Sequence, residues 1–99
     1  MIYLLEDDDS IRKFVTYALK QSGIEAEGFP LPSEFYKAVE HILPELVLLD
    51  IMLPEEDGLT VLHKLRSNPK TCDIPIIMLT AKTQEMDKVS GLMMGAVHN

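Results

Sequence analysis

Residues 46–49, "LVLL", are apolar without a break and run straight into Asp50, with Pro54 four positions further on. A run of this kind reads as a strand covered on both faces, because a half-exposed strand would alternate apolar and polar residues. Such a strand needs neighbours in a sheet and helices above and below it, and the rest of the chain supplies both. "IYLL" (2–5) is a second short apolar run, and it ends in Glu6, Asp7, Asp8 and Asp9. Ile11, Phe14, Val15, Ala18 and Leu19 then share one helical stripe, and Gly23 stands where a left-handed cap is wanted. "IEAEGF" (24–29) alternates weakly and predicts a more exposed strand. Pro32 or Ser33 opens a helix with the stripe Phe35, Ala38, Val39, Ile42 and Leu43, stopped by Pro44. After the opening run, "PEEDG" reads as a loop, and Leu59, Val61, Leu62 and Leu65 mark a third helix ending before Asn68-Pro69. "IPIIML" (74–79) is the fourth strand, with Pro75 near its start, where proline is tolerated. Thr83 can cap a fourth helix bearing Met86, Val89, Leu92 and Met93, closed by Gly95.

Strands that alternate with helices over short connections imply an α/β fold, a doubly wound parallel sheet of (βα)₄ form with right-handed crossovers. One domain spanning residues 1–99 accounts for the whole pattern. In such sheets ligands bind outside the C-terminal strand ends. Glu6, Asp7, Asp50 and Thr80 all fall at those ends.

The formal net charge of −7 argues against direct nucleic-acid binding or attraction to an anionic membrane by this segment. No apolar run approaches the ~20 residues of a membrane span. The acids after "MIYLL" interrupt what a secretory signal would continue, and the single cysteine, Cys72, cannot form an internal disulfide. These features together predict a cytoplasmic protein.

Clustered carboxylates repel one another unless a cation compensates. An oxygen-only set drawn from two strand ends suits a hard cation such as Mg²⁺. With a metal beside it, Asp50 can act as a nucleophile toward phosphorus, and the Thr80 hydroxyl can donate to a phosphoryl oxygen. The chemistry that follows is formation of an aspartyl phosphate at Asp50. Asp8 and Asp9, ahead of Ser10-Ile11, read instead as helix-capping acids. His41, His63 and His98 share no ligand spacing, and the six methionines read as core filling.

"YLLEDDDSIR", "LVLLDIMLPEEDGL" and "IPIIMLTAK" resemble, in order and over essentially the whole chain, the receiver (CheY-like) domain of two-component response regulators. The resemblance implies a flavodoxin-like sheet with Asp50 as phosphoacceptor and Glu6 and Asp7 as the acidic pair holding Mg²⁺. It implies that the Met52 backbone carbonyl completes the metal shell and that Thr80 binds the phosphoryl group and switches. Pro54 and Gly58 match the loop after the acceptor, where glycine permits a turn that other residues resist. The implied phosphoryl donor is a sensor histidine kinase, and the wording of the motifs is most similar to regulators that control transcription.

The family pattern continues with a fifth strand, a lysine that pairs with the phosphoryl group, and a fifth helix, whereas this sequence reads "GLMMGAVHN" and ends. Lys82 lies on the loop after the fourth strand and does not take the lysine's place. With the family's strand order 2-1-3-4-5, the missing fifth βα unit would leave residues 74–79 as an edge open to self-association. Two other functions stay open at this point. One is a receiver remnant that no longer signals. The other is a Mg²⁺-dependent phosphohydrolase with an aspartyl-phosphate intermediate, although Met52 stands where that chemistry wants a second aspartate.

Overall fold

The structure is a computed structural model, and it describes residues 1–79. Four strands, β1 (Ile2–Leu5), β2 (Ala26–Phe29), β3 (Leu46–Asp50) and β4 (Ile76–Leu79), alternate with three helices, α1 (Asp9–Gln21), α2 (Pro32–His41) and α3 (Gly58–Ser67). Every strand pair is parallel, and the order across the sheet is β2-β1-β3-β4. The expected α/β architecture holds through the fourth strand. The helix expected from Thr83 onward lies outside the described residues.

Side chains alternate across the sheet, so the two faces can be assigned residue by residue. Tyr3, Leu5, Phe29, Val47, Leu49 and Ile76 form one core with Phe35 of α2 and Val61, Leu62 and Leu65 of α3. The other face, carrying Leu4 and Gly28, lies under α1. There, a Cβ added to Gly28 would come within 2.6 Å of the Arg12 side chain and 3.3 Å of Thr16. This contact explains the first departure from expectation. Arg12 and Thr16 turn toward the sheet, and Phe14, about half a turn away from Arg12, turns outward and is 69% exposed. Ile11, Val15 and Leu19 are half-buried and Ala18 is exposed, so the stripe expected to be core is a flank of the helix.

β3 also departs from expectation. Val47 and Leu49 are fully buried, but Leu46 and Leu48 on the α1 side are half-buried, because α1 lies over β1 and β2. α2 ends at His41, with Ile42 already extended (φ −139°, ψ 121°). Leu43 precedes Pro44, whose ring disfavours helical backbone at the residue before it. Ile42 and Leu43, expected in the core, are therefore exposed, as is Leu59 at the start of α3. Gly23 adopts the left-handed cap expected of it, at φ 82°. His41 and His63 are exposed. Among the described residues, no helix is long and apolar enough to cross a membrane.

Candidate functional site

The β1–β3 register pairs Leu5 with Leu49, so the residues that follow each, Glu6 and Asp50, emerge side by side from the C-terminal edge of the sheet. Asp7 joins them. One carboxylate oxygen from each of Glu6, Asp7 and Asp50 lies within 4.8 Å of the other two. Glu6 is 4% exposed, Asp50 half-buried and Asp7 exposed, so the cluster opens on one side.

Local hydrogen bonds divide the acidic run into two roles. The Glu6 amide donates to Phe29 O at 3.0 Å, extending the ladder with β2, and Arg12 Nη1 donates to Glu6 O at 2.8 Å. Glu6 Oε2 accepts the Asp8 amide at 3.0 Å. Asp8 turns the other way and caps α1, its Oδ1 accepting the Ile11 amide at 3.0 Å, while Asp9 pairs with Arg12 in the first turn. Glu6 and Asp7 thus face the site, and Asp8 and Asp9 serve the helix, as the sequence predicts.

Burial pushes the Glu6 carboxyl up to about 7; the Asp8 amide opposes this, and the charges on Asp50 and Asp7 add to it. Burial also raises Asp50, against the amides of Ile51 and Met52 that favour its ionised form. Oxygen donors held this close, at a cost to their own ionisation, fit a hard divalent cation, which would remove that cost.

The loop after Asp50 is closed by the Gly58 amide, which donates to Ile51 O at 2.6 Å. A Cβ on Gly58 would lie 2.1 Å from Asp50 O and 2.8 Å from Ile51 Cα. The glycine is thus required for space, whereas the sequence suggested a conformational need. The left-handed residue of this loop is Glu55, at φ 69°. Sequence reasoning missed Glu55, since nothing in "PEEDG" says which position takes that conformation. The Glu55 carboxylate accepts from the Ser33 amide at 3.0 Å and the Ser33 hydroxyl at 3.1 Å. Glu56 accepts from the Tyr36 hydroxyl and, at 2.7 Å, from Lys64 Nζ. Asp57 caps α3 through the Thr60 amide at 2.8 Å. Met52 belongs to this loop, and its side chain is 54% exposed, so it does not fill the core. Leu79 pairs with Asp50 across β3–β4. Thr80, which follows Leu79, lies outside the described residues, as do Lys82 and His98.

Comparison with known proteins agrees with this geometry. Residues 2–98 match the family described as the response regulator receiver domain. The chain is 37% identical over 95 residues to the transcriptional regulatory protein GltR of Pseudomonas aeruginosa, covering 96% of this chain and 39% of that protein. It is 38% identical over 99 residues to the phosphate regulon transcriptional regulatory protein PhoB of Escherichia coli, covering 96% and 42%. The chain therefore spans about two fifths of the length of these curated relatives. Among solved structures, the BeF3-activated N-terminal receiver domain of Klebsiella pneumoniae RstA matches with a TM-score of 0.81 at 32% identity, covering 96% of this chain and 79% of that one. The chemotaxis response regulator CheY4 of Vibrio cholerae matches at 0.83 and 25%, with coverage of 96% and 79%. These relatives favour the receiver reading over the phosphohydrolase one. The chain belongs to the response regulator receiver domain family of two-component signalling.

Proposed function

We propose that Asp50 is the phosphoryl acceptor of this receiver domain, with Mg²⁺ held by Glu6, Asp7, Asp50 itself and the Met52 backbone carbonyl, and Thr80 binding the transferred group. The observation that carries the reading is the convergence of the Glu6, Asp7 and Asp50 carboxylates within 4.8 Å at the ends of β1 and β3. An Asp50 oxygen attacks phosphorus as the bond to a phosphohistidine nitrogen breaks. The product is an acyl phosphate on Asp50, and the departing imidazole takes up a proton from solvent. Bound Mg²⁺ supplies positive charge against the carboxylates and the incoming phosphoryl oxygens. The donor in this reading is a sensor histidine kinase in the cytoplasm, and the output of the full-length regulator is control of transcription.

Intact-mass spectrometry after treatment with Mg²⁺ and phosphoramidate is expected to show one added phosphoryl group on wild type and none on Asp50→Asn. A modification that persists in Asp50→Asn overturns the acceptor assignment. Asp7→Asn, which removes one formal charge from a hard-cation site, is expected to weaken Mg²⁺ about tenfold by calorimetric titration. Equal affinity would count against the metal site.

β4 is the outer strand among the described residues, and Ile77 on it is 43% exposed. An apolar edge of this kind recruits strands from other chains, and self-association through residues 74–79 belongs to this proposal. Light scattering at rising concentration, with amide exchange across 76–79, measures it. A monomer at high concentration with protected β4 amides rules it out.

A further inference from the structure

We infer that Glu55 is a positioning residue, which holds the loop after Asp50 against the first turn of α2 and so keeps the acceptor carboxylate in place; this rests on the reading of Asp50 as acceptor. The start of α2 is built to receive it. Leu31 is the N-cap and offers no side-chain cap, and Pro32 has no N–H, so Ser33 presents the first amide of the helix. The Glu55 carboxylate takes that amide at 3.0 Å and the Ser33 hydroxyl at 3.1 Å, performing from another element the capping that α2 lacks. An anion is favoured at this end of a helix.

The backbone points the same way. Glu55 sits at φ 69°, a conformation that glycine adopts freely and a side chain resists. A glutamate held there is retained against strain, and the contact its side chain makes is the observable return. The loop is secured again one residue later, where Glu56 meets the Tyr36 hydroxyl and Lys64, whose Nζ lies 5.6 Å from the centre of the Tyr36 ring. Its two ends are closed by the Gly58–Ile51 hydrogen bond. Ile51, at the start of this ring, donates its amide to Asp50 Oδ1 at 2.8 Å. A loop released from α2 loosens this hold on the acceptor carboxylate.

A cap that served only α2 would change helix stability and nothing else, and this contrast makes the inference testable. Glu55→Gly removes the tether and also relieves the strained φ, so the melting temperature is expected to stay near that of wild type. Amide exchange should quicken about fivefold both at 33–35 and across 52–57, the opening gained when one cap is lost. Phosphorylation by phosphoramidate at saturating Mg²⁺ should slow by a similar factor, with Glu55→Gln, which keeps one acceptor oxygen, lying between. Faster exchange confined to 33–35, with a wild-type phosphorylation rate, overturns the inference. So does unchanged exchange in both segments. A wild-type protein that takes no phosphoryl group, while loop exchange responds as expected, overturns the acceptor reading and leaves the tether standing.

Discussion

Gly58→Ala is expected to destabilise the protein by about 2–3 kcal/mol, the cost of forcing an extra carbon into a packed site, and to displace Asp50. The new methyl would lie 2.1 Å from Asp50 O, and its other near neighbours, Ile51 Cα and Asp50 C, are also backbone. No flexible side chain is there to move aside. Asp50 is the last residue of β3 and is paired in register with Leu79, so relief must come from opening the β3 end or from shifting the first turn of α3. Either movement disturbs the carboxylate cluster. For a chain of this size the melting temperature should fall by roughly 10–20 °C, and Mg²⁺ affinity should fall with it. Gly23→Ala is the control: nothing lies within 4 Å of a Cβ there, and only the left-handed φ of 82° is penalised, at a cost of about 1 kcal/mol and with the site intact. Differential scanning calorimetry of the two variants decides the matter. A Gly58→Ala protein that melts with wild type would show that the β3–α3 junction yields easily.

Phe35→Ala should cost about 3–5 kcal/mol, the usual range for emptying a buried aromatic site. Phe35 is fully buried, and its ring meets Phe29 and Tyr3 edge-on with centroids 6.1 and 6.2 Å apart and Tyr36 at a tilt at 5.7 Å. Such contacts add about 0.5–1.5 kcal/mol per pair beyond area burial. Phe35 and Pro32 are the buried residues of α2, and Tyr36, Ala38 and Val39 pack beside them, so Phe35 is the largest fully buried side chain through which the helix docks. With total stabilities of about 5–15 kcal/mol for domains of this class, the substitution removes a large share. Urea unfolding is the measurement. A midpoint near wild type would mean that Tyr3, Phe29 and Tyr36 collapse into the space. Because Ser33 and Tyr36 ride on the same helix, the Glu55 and Glu56 contacts should loosen as well.

Three strands were legible because short apolar runs end in acids or a threonine, and β2 because "IEAEGF" alternates weakly; periodicity separates all four from the helical stripes. The same reasoning placed Glu6, Asp7 and Asp50 together, since a parallel sheet brings its C-terminal strand ends to one edge. It also sorted Asp8 from Glu6, because a cap has a spacing rule. It failed on orientation. Phe14 looked like core because it is apolar and well spaced, yet Gly28 opposite α1 gives room to Arg12 and turns Phe14 outward. It failed again on Gly58, where the reason for glycine is the carbonyl of Asp50, a neighbour that no local pattern reveals. Glu55 was illegible for the same reason, because its partner Ser33 lies on another element.

The all-parallel sheet carries a consequence for the time course of folding. Without a hairpin among the described residues, none of these strand pairs can form locally; β1 must meet β2 at Ile2–Ala26 and β3 at Ile2–Leu46, and β3 must meet β4 at Val47–Ile76. Each pairing closes a loop containing a whole helix, and the entropy of that closure is lost before any ladder bond forms. β1 leaves the ribosome before either of its neighbours, is unpaired until β2 follows it, and keeps one edge open until β3 has been synthesised. Its fully buried residues, Leu4 and Leu5, are exposed to solvent throughout that interval. An inner strand of the described sheet is therefore open to misassociation during synthesis.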